Sequence, residues 1–216
     1  MRKILTYSLV TAAAVAVQPA QAVVTICLTP NCVSTDENVL VTQATGVSTV
    51  YGTTQDSSVA VEFTSNELLN GEAAGQARVE ANDGVLNSLT FALMGGYTFQ
   101  TAVWNFQPLS GGNPLTLPSA TSVLVTYFDP NANVYGNVVV NTNGQNYMGI
   151  SGDAGEMFTA VSFLFPEGTG VNDLRQLRLG GVQAPIPEPA TWAMMIVGLG
   201  FAGGLMRRRA TKVQFA

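Results

Sequence analysis

The sequence predicts an all-β protein: a jelly-roll-like β-sandwich ectodomain between an N-terminal signal peptide and a C-terminal single transmembrane helix. Three observations predict the fold class. From about Val39 to Val182, apolar residues recur at every second position rather than at helical spacing. Turn-forming pairs divide these runs about every eight to twelve residues, the rhythm of a sandwich or barrel. Apart from a single turn around Ser65–Asn70, no stretch there carries helix start and stop signals.

Export is legible at the start of the chain. Met1, Arg2 and Lys3 give a basic opening, and Ile4 to Val17 is an apolar run of 14 residues. That run is short of the roughly 20 residues needed to span a bilayer permanently. Pro19 interrupts it, and Ala20-Gln21-Ala22 places small residues at Ala20 and Ala22, where a signal peptidase reads them. Cleavage is expected after Ala22. Cys27 and Cys32 follow, with Pro30-Asn31 as a turn between them. In an exported chain this spacing predicts a local disulfide, of small entropic effect because its loop is small.

The strands come next. Val59, Val61 and Phe63 share one face of Ser58–Ser65, and Ala77, Val79 and Ala81 alternate with Gln76, Arg78 and Glu80. Asn82-Asp83-Gly84 then reads as a hairpin turn returning through Leu89, Phe91 and Leu93. Further strands are expected at Phe99–Phe106, Ser122–Phe128, Val134–Asn141 and Met157–Phe165. Separators include Asn70-Gly71, Gly95-Gly96, Asp129-Pro130-Asn131 and Asn143-Gly144. Trp104 alternates in phase with Phe106 and is expected in the core. Gln183 to Pro189 is Pro-rich and extended, and reads as a spacer.

Charge narrows the partners. Residues 23–184 hold thirteen Asp/Glu against Arg78, Arg175 and Arg178, with no Lys or His, a formal charge of −10. Such a surface repels nucleic acid and suits an extracellular protein kept soluble by its charge.

The tail is the most informative segment. Ala190 to Met206 is 17 residues without a charge, roughly 25 Å as a helix. Trp192 marks one edge, and Arg207, Arg208 and Arg209 mark the other as a stop-transfer signal, so the arginines are expected in the cytoplasm. Gly198, Gly200, Gly203 and Gly204 make this helix thin and easily unwound. Pro187-Glu188-Pro189, then Trp192-Ala-Met-Met-Ile196, the Gly-rich apolar helix and the Arg cluster resemble the PEP-CTERM sorting domain of Gram-negative bacteria. The resemblance implies recognition at Pro187, Glu188 and Pro189 by an exosortase, a membrane-embedded cysteine transpeptidase. It also implies association with exopolysaccharide, biofilm or matrix. Ala210–Ala216 departs from the pattern, since such tails usually stop soon after the arginines. Gly152–Phe158 and Val171–Gly180 are similar to the β-sandwich ectodomains often paired with such tails.

Catalytic motifs are scarce. With no histidine in the chain, Ser-His-Asp and Cys-His arrangements are excluded. Gly149-Ile-Ser-Gly152 lacks the spacing of a nucleophile elbow and reads as a turn. Glu62, Glu80, Asp83, Asp153 and Glu156 are carboxylates available to a glycosidase pair, but the sequence places no two together. Asp129, Asn131 and Asn133 resemble the opening of a calcium loop, yet Val134 stands where such a loop needs Gly and Val140 where it needs Glu. A hairpin turn is expected there, with a looser structural Ca²⁺ site as the alternative and no cofactor otherwise.

The expected organisation is 1–22 signal peptide, 23–184 ectodomain, 185–209 sorting and anchor segment, and 210–216 cytoplasmic tail. The expected function is that of an exported, non-catalytic surface or matrix protein, processed by an exosortase after transient inner-membrane anchoring, with extracellular polysaccharide as its partner. The alternatives are a secreted carboxylate-pair glycosidase and a Ca²⁺-dependent carbohydrate-binding module.

Overall fold

The computed structural model describes residues 24–29, 31–73, 77–109, 115–131, 133–141, 147–153, 155–185 and 189–207. The signal-peptide expectation with Ala20 and Ala22 lies outside them, as do Pro187, Glu188, Arg208, Arg209 and residues 210–216. Among the described residues the regular structure is all strand until the final helix. The strands are β1 (Val24–Cys27), β2 (Glu37–Val41), β3 (Ala44–Thr54), β4 (Ala60–Glu72), β5 (Arg78–Ala81) and β6 (Ser88–Leu93). They continue with β7 (Thr101–Gln107), β8 (Ser122–Phe128), β9 (Val134–Asn141), β10 (Tyr147–Gly152), β11 (Ala160–Leu164) and β12 (Asp173–Gly180), before helix α1 (Pro189–Arg207).

Pairing is antiparallel and follows the order β1-β10-β7-β12-β2-β3-β4-β6-β11-β8-β9, with β5 bridging β12 and β4. Two strands serve more than one neighbour on the same edge. In β12 the register breaks between Arg175 and Arg178; Asp173–Arg175 pair with β5, and Arg178–Leu179 with β2. Gln176 sits in that break at φ 58°, the left-handed conformation a bulge can impose. In β4, Val61–Thr64 pair with β6 while Leu69–Glu72 pair with β5. The pairings β12–β2–β3–β4–β5–β12 therefore close into a ring.

The core lies between two stretches of this path that share no backbone bonds. Trp104 and Phe106 of β7 meet Phe163 of β11 at ring distances of 4.8 and 5.0 Å, and Phe91 of β6 meets Trp104 at 6.2 Å. All four rings are buried, in the tilted and edge-on arrangements that favour aromatic pairs. The period-2 pattern survives intact here, with Val61, Phe63, Val79, Phe91, Val161 and Phe163 all inward.

Five local expectations are corrected. The Ser65–Asn70 turn is strand, and Asn70-Gly71 is not a separator: Asn70 pairs with Glu80 and Gly71 with Val79, so long-range pairing overrides a local turn preference. Asp83-Gly84 does form a turn, with Gly84 at φ 83° and Val85 N–H donating to Asp83, but no hairpin follows. β5 pairs with β4 and β12, while β6 pairs with β4 and β11. Alternation reports which face a residue takes, and not which strand lies beside it. Gly149-Ile-Ser-Gly152 belongs to β10, paired with β7. Gln183–Pro185 is no free spacer, because Gln183 is bonded back to Thr98.

Candidate functional site: the sorting tail and its root

The site is built where the sheet gives way to the tail. β12 ends at Gly180, and Gly181 turns the chain at φ 64°. Gln183 then makes two backbone bonds with Thr98: its N–H donates to Thr98 O at 2.8 Å and its C=O accepts from Thr98 N–H at 3.0 Å. Pro185 lies against Gly96. Together with Pro130, Asn131 and Met157 these residues line a cleft of about 380 Å³.

One wall of that cleft is the turn expected from Asp129, Asn131 and Asn133. Asp129 Oδ1 accepts the backbone N–H groups of Asn131 (2.9 Å) and Asn133 (2.7 Å), and Oδ2 accepts Asn133 Nδ2–H (3.1 Å). Desolvation raises the Asp129 pKa, but the hydrogen bonds from Asn133 and Asn131 outweigh it and leave the carboxyl below its ordinary range. The carboxylate is thus occupied by N–H donors rather than held open among oxygen ligands. Among the described residues no cluster of three or more metal-ligating Asp, Glu or Cys side chains occurs.

Beyond the cleft, Pro189 opens α1, a position where its missing N–H costs nothing. Trp192 lies in the first turn, half exposed, and Arg207 is the final helical residue. Met194, Ile196, Leu199 and Phe201 are each more than 60% exposed, and the described faces of the helix are apolar all round. A Cβ at Gly198, Gly200, Gly203 or Gly204 would touch nothing, so no contact within this chain demands those glycines. Among the described residues no helix is long and apolar enough to cross a membrane.

At edge strand β1, Cys27 and Cys32 are joined by a disulfide, with Cα atoms 6.1 Å apart. Gly149 of β10 makes room for it: a Cβ there would meet both sulfurs at 3.1 Å.

Three of the five candidate carboxylates have structural tasks. Asp83 caps its turn, Asp153 accepts the Thr25 hydroxyl, and Glu80 pairs with Arg78. Two polar centres were not anticipated. Asp173, fully buried, accepts Arg175 Nε–H at Oδ1 (2.6 Å), Arg175 Nη2–H at Oδ2 and Asn172 Nδ2–H (2.8 Å), and meets Arg78 Nε as an ion pair at 3.4 Å without a hydrogen bond. Arg78 also meets Glu72 at 2.6 Å and Glu80 at 3.1 Å. The hydrogen bond to Asp173, above all, raises the Arg175 pKa. Glu37 accepts Ser57 N–H (3.0 Å), Ser57 Oγ–H (2.9 Å) and Asp56 N–H (3.3 Å), tying the β3–β4 turn. The scarcity of arginine was the available signal for the first: two of three ectodomain arginines converge on one carboxylate.

No curated protein matches the chain. The family model of the PEP-CTERM protein-sorting motif matches residues 185–210. That span begins at Pro185 on the cleft and runs through the helix into the Arg cluster, so the chain carries a PEP-CTERM sorting domain.

Proposed function

We propose that this is an exported, non-catalytic cell-surface or extracellular-matrix protein, anchored transiently in the inner membrane by its tail and detached from it by an exosortase. The single observation that carries the reading is the sorting motif at residues 185–210. In this reading residues 1–22 are a signal peptide, 23–184 a sandwich-type ectodomain and 185–209 the sorting and anchor segment. Facing rings from β7 and from β6 and β11 support the sandwich. The anchor is supported by the uncharged run Ala190–Met206 and by a helix with no polar face, which water does not favour.

Support for a non-catalytic role comes from the lack of histidine and from the internal employment of Asp83, Asp129, Asp173 and Glu37. No resident cofactor is needed in this reading. For the extracellular polysaccharide partner, the support is one outward row. Tyr147, Asn105, Arg175, Arg78 and Glu72 stand in register on β10, β7, β12, β5 and β4. At strand spacing this row is roughly 19 Å wide, the scale of several sugar rings.

Intact mass of the mature extracellular protein tests the reading. The expected product lacks residues 1–22 and Arg207–Arg209; an extracellular product retaining the arginines defeats it. Incubated with the producing organism's exopolysaccharide, the protein is expected to co-sediment without releasing reducing sugar. Release that is abolished by a carboxylate-to-amide change establishes the glycosidase instead.

A further inference from the structure

The root of the tail is held by the domain right up to the sorting motif. Beyond Gly181 the β7–β12 ladder is extended by the reciprocal Thr98–Gln183 bonds at 2.8 and 3.0 Å. Gly96 is at φ 75°, and a Cβ there would lie 3.3 Å from Pro185 Cβ, so two separate conditions favour glycine at this seat. Helix α1 begins at Pro189. Only residues 186–188 separate the seat at Pro185 from the helix at Pro189, four Cα steps with a reach of at most about 14 Å even fully extended. An enzyme that binds its substrate in a cleft needs extended chain on both sides of the bond it cuts. Here the upstream side, Gln183 to Pro185, is already engaged.

Resting on the exosortase reading above, we propose that the Thr98–Gln183 bridge and the Pro185 seat on Gly96 form a clasp that withholds the upstream chain from the processing enzyme. Processing then proceeds through a briefly unclasped state. Two terminal hydrogen bonds at the end of a ladder open far more readily than the core. Cleavage that passes through such an opening tracks its population. The clasp therefore sets a rate and does not block processing outright. It also forms only when strands from both halves of the ectodomain are in place, so the rate reports whether the domain has folded.

The test uses the full-length chain in its producing cell, followed by pulse–chase from precursor to mature form. One variant inserts Gly-Ser-Gly-Ser between Pro185 and Ile186, leaving the clasp intact but adding roughly 13 Å of free chain. A second, Gln183→Pro, removes the N–H that Thr98 accepts. Gln183→Pro is expected to speed processing about five- to tenfold, the effect of removing one net hydrogen bond, and the insertion, which supplies free upstream chain without opening the clasp, at least as much. An unchanged or slowed rate in the insertion variant overturns the proposal. That variant touches no strand, so the result does not depend on how Gln183→Pro folds.

Amide hydrogen exchange on the unprocessed full chain in detergent gives a second reading. Thr98 and Gln183 are expected to be protected. Exchange at the rate of an unstructured chain overturns the clasp, whatever the processing result. Protected amides in a wild-type chain that is never processed defeat the exosortase reading, and with it the role given to the clasp.

Discussion

Arg175 grips the fully buried carboxylate of Asp173 with two guanidinium nitrogens, a bidentate pair in which only the arginine reaches solvent. Across the strand boundary Arg78 stands directly opposite Arg175, so the same carboxylate separates two like charges. Removing one partner of a buried pair leaves the other uncompensated.

Asp173→Asn is therefore expected to destabilise the protein by about 2–3 kcal/mol in urea unfolding. This is below the 3–5 kcal/mol of a wholly buried pair because both arginines are about a third exposed. Adding Arg78→Gln should recover part of the loss, since it removes the facing cation. Strict additivity of the two changes would argue against the shared carboxylate.

Glu37 should make stability fall on acidification. Desolvation raises its pKa, but hydrogen bonds from Ser57, Thr54 and Asp56 together outweigh it, holding the group below its ordinary 4.5. A depressed folded-state pKa contributes stability that is complete above 4.5 and lost as pH falls through the lower, folded value. Glu37→Gln is expected to cost about 1–2 kcal/mol at neutral pH. It should also flatten the fall of Tm between about pH 5 and pH 3; an equal slope in both proteins refutes the assignment.

Reduction of Cys27–Cys32 should add the mass of two hydrogens and lower stability by about 2 kcal/mol, the effect of a short loop. Faster amide exchange should be confined to β1 and its β10 partner. Gly149→Val, which crowds both sulfurs, is expected to give the same exchange pattern without reductant.

At Asp129 the turn is expected to hold without metal. Neither millimolar Ca²⁺ nor EDTA should move Tm, and calorimetry should record no Ca²⁺ heat. Asp129→Ala should instead deprotect the Asn131 and Asn133 amides, which the carboxylate now accepts.

Much of the class was legible because its cause is local. Val134–Asn141 and Ser122–Phe128 could be read to the residue from alternation between turns, and the sorting tail from the order of its Pro, Trp, Gly and Arg. What could not be read was partnership. Val79 and Phe91 are inward on sequence and in the fold, yet nothing in Asp83-Gly84 says that their strands part company. β3 went unrecognised because Gly46 and Gly52 interrupt its pattern; Gly52 is there because Leu40 O would meet a Cβ at 2.6 Å. The Asp173 centre was hidden for a similar reason, being assembled from strands nearly a hundred residues apart.

The two ends of the hydrogen-bonded path are unequal. At one end β1 is four residues long and tied down by its disulfide; such an edge offers little to a visiting strand. At the other, β9 is eight residues long and includes the consecutive valines 138–140. Growth by strand addition needs two usable edges, and among the described residues this fold supplies one. Edge-to-edge association through β9 would stop at a pair, isologous and closed, where a second open edge would have permitted a fibre.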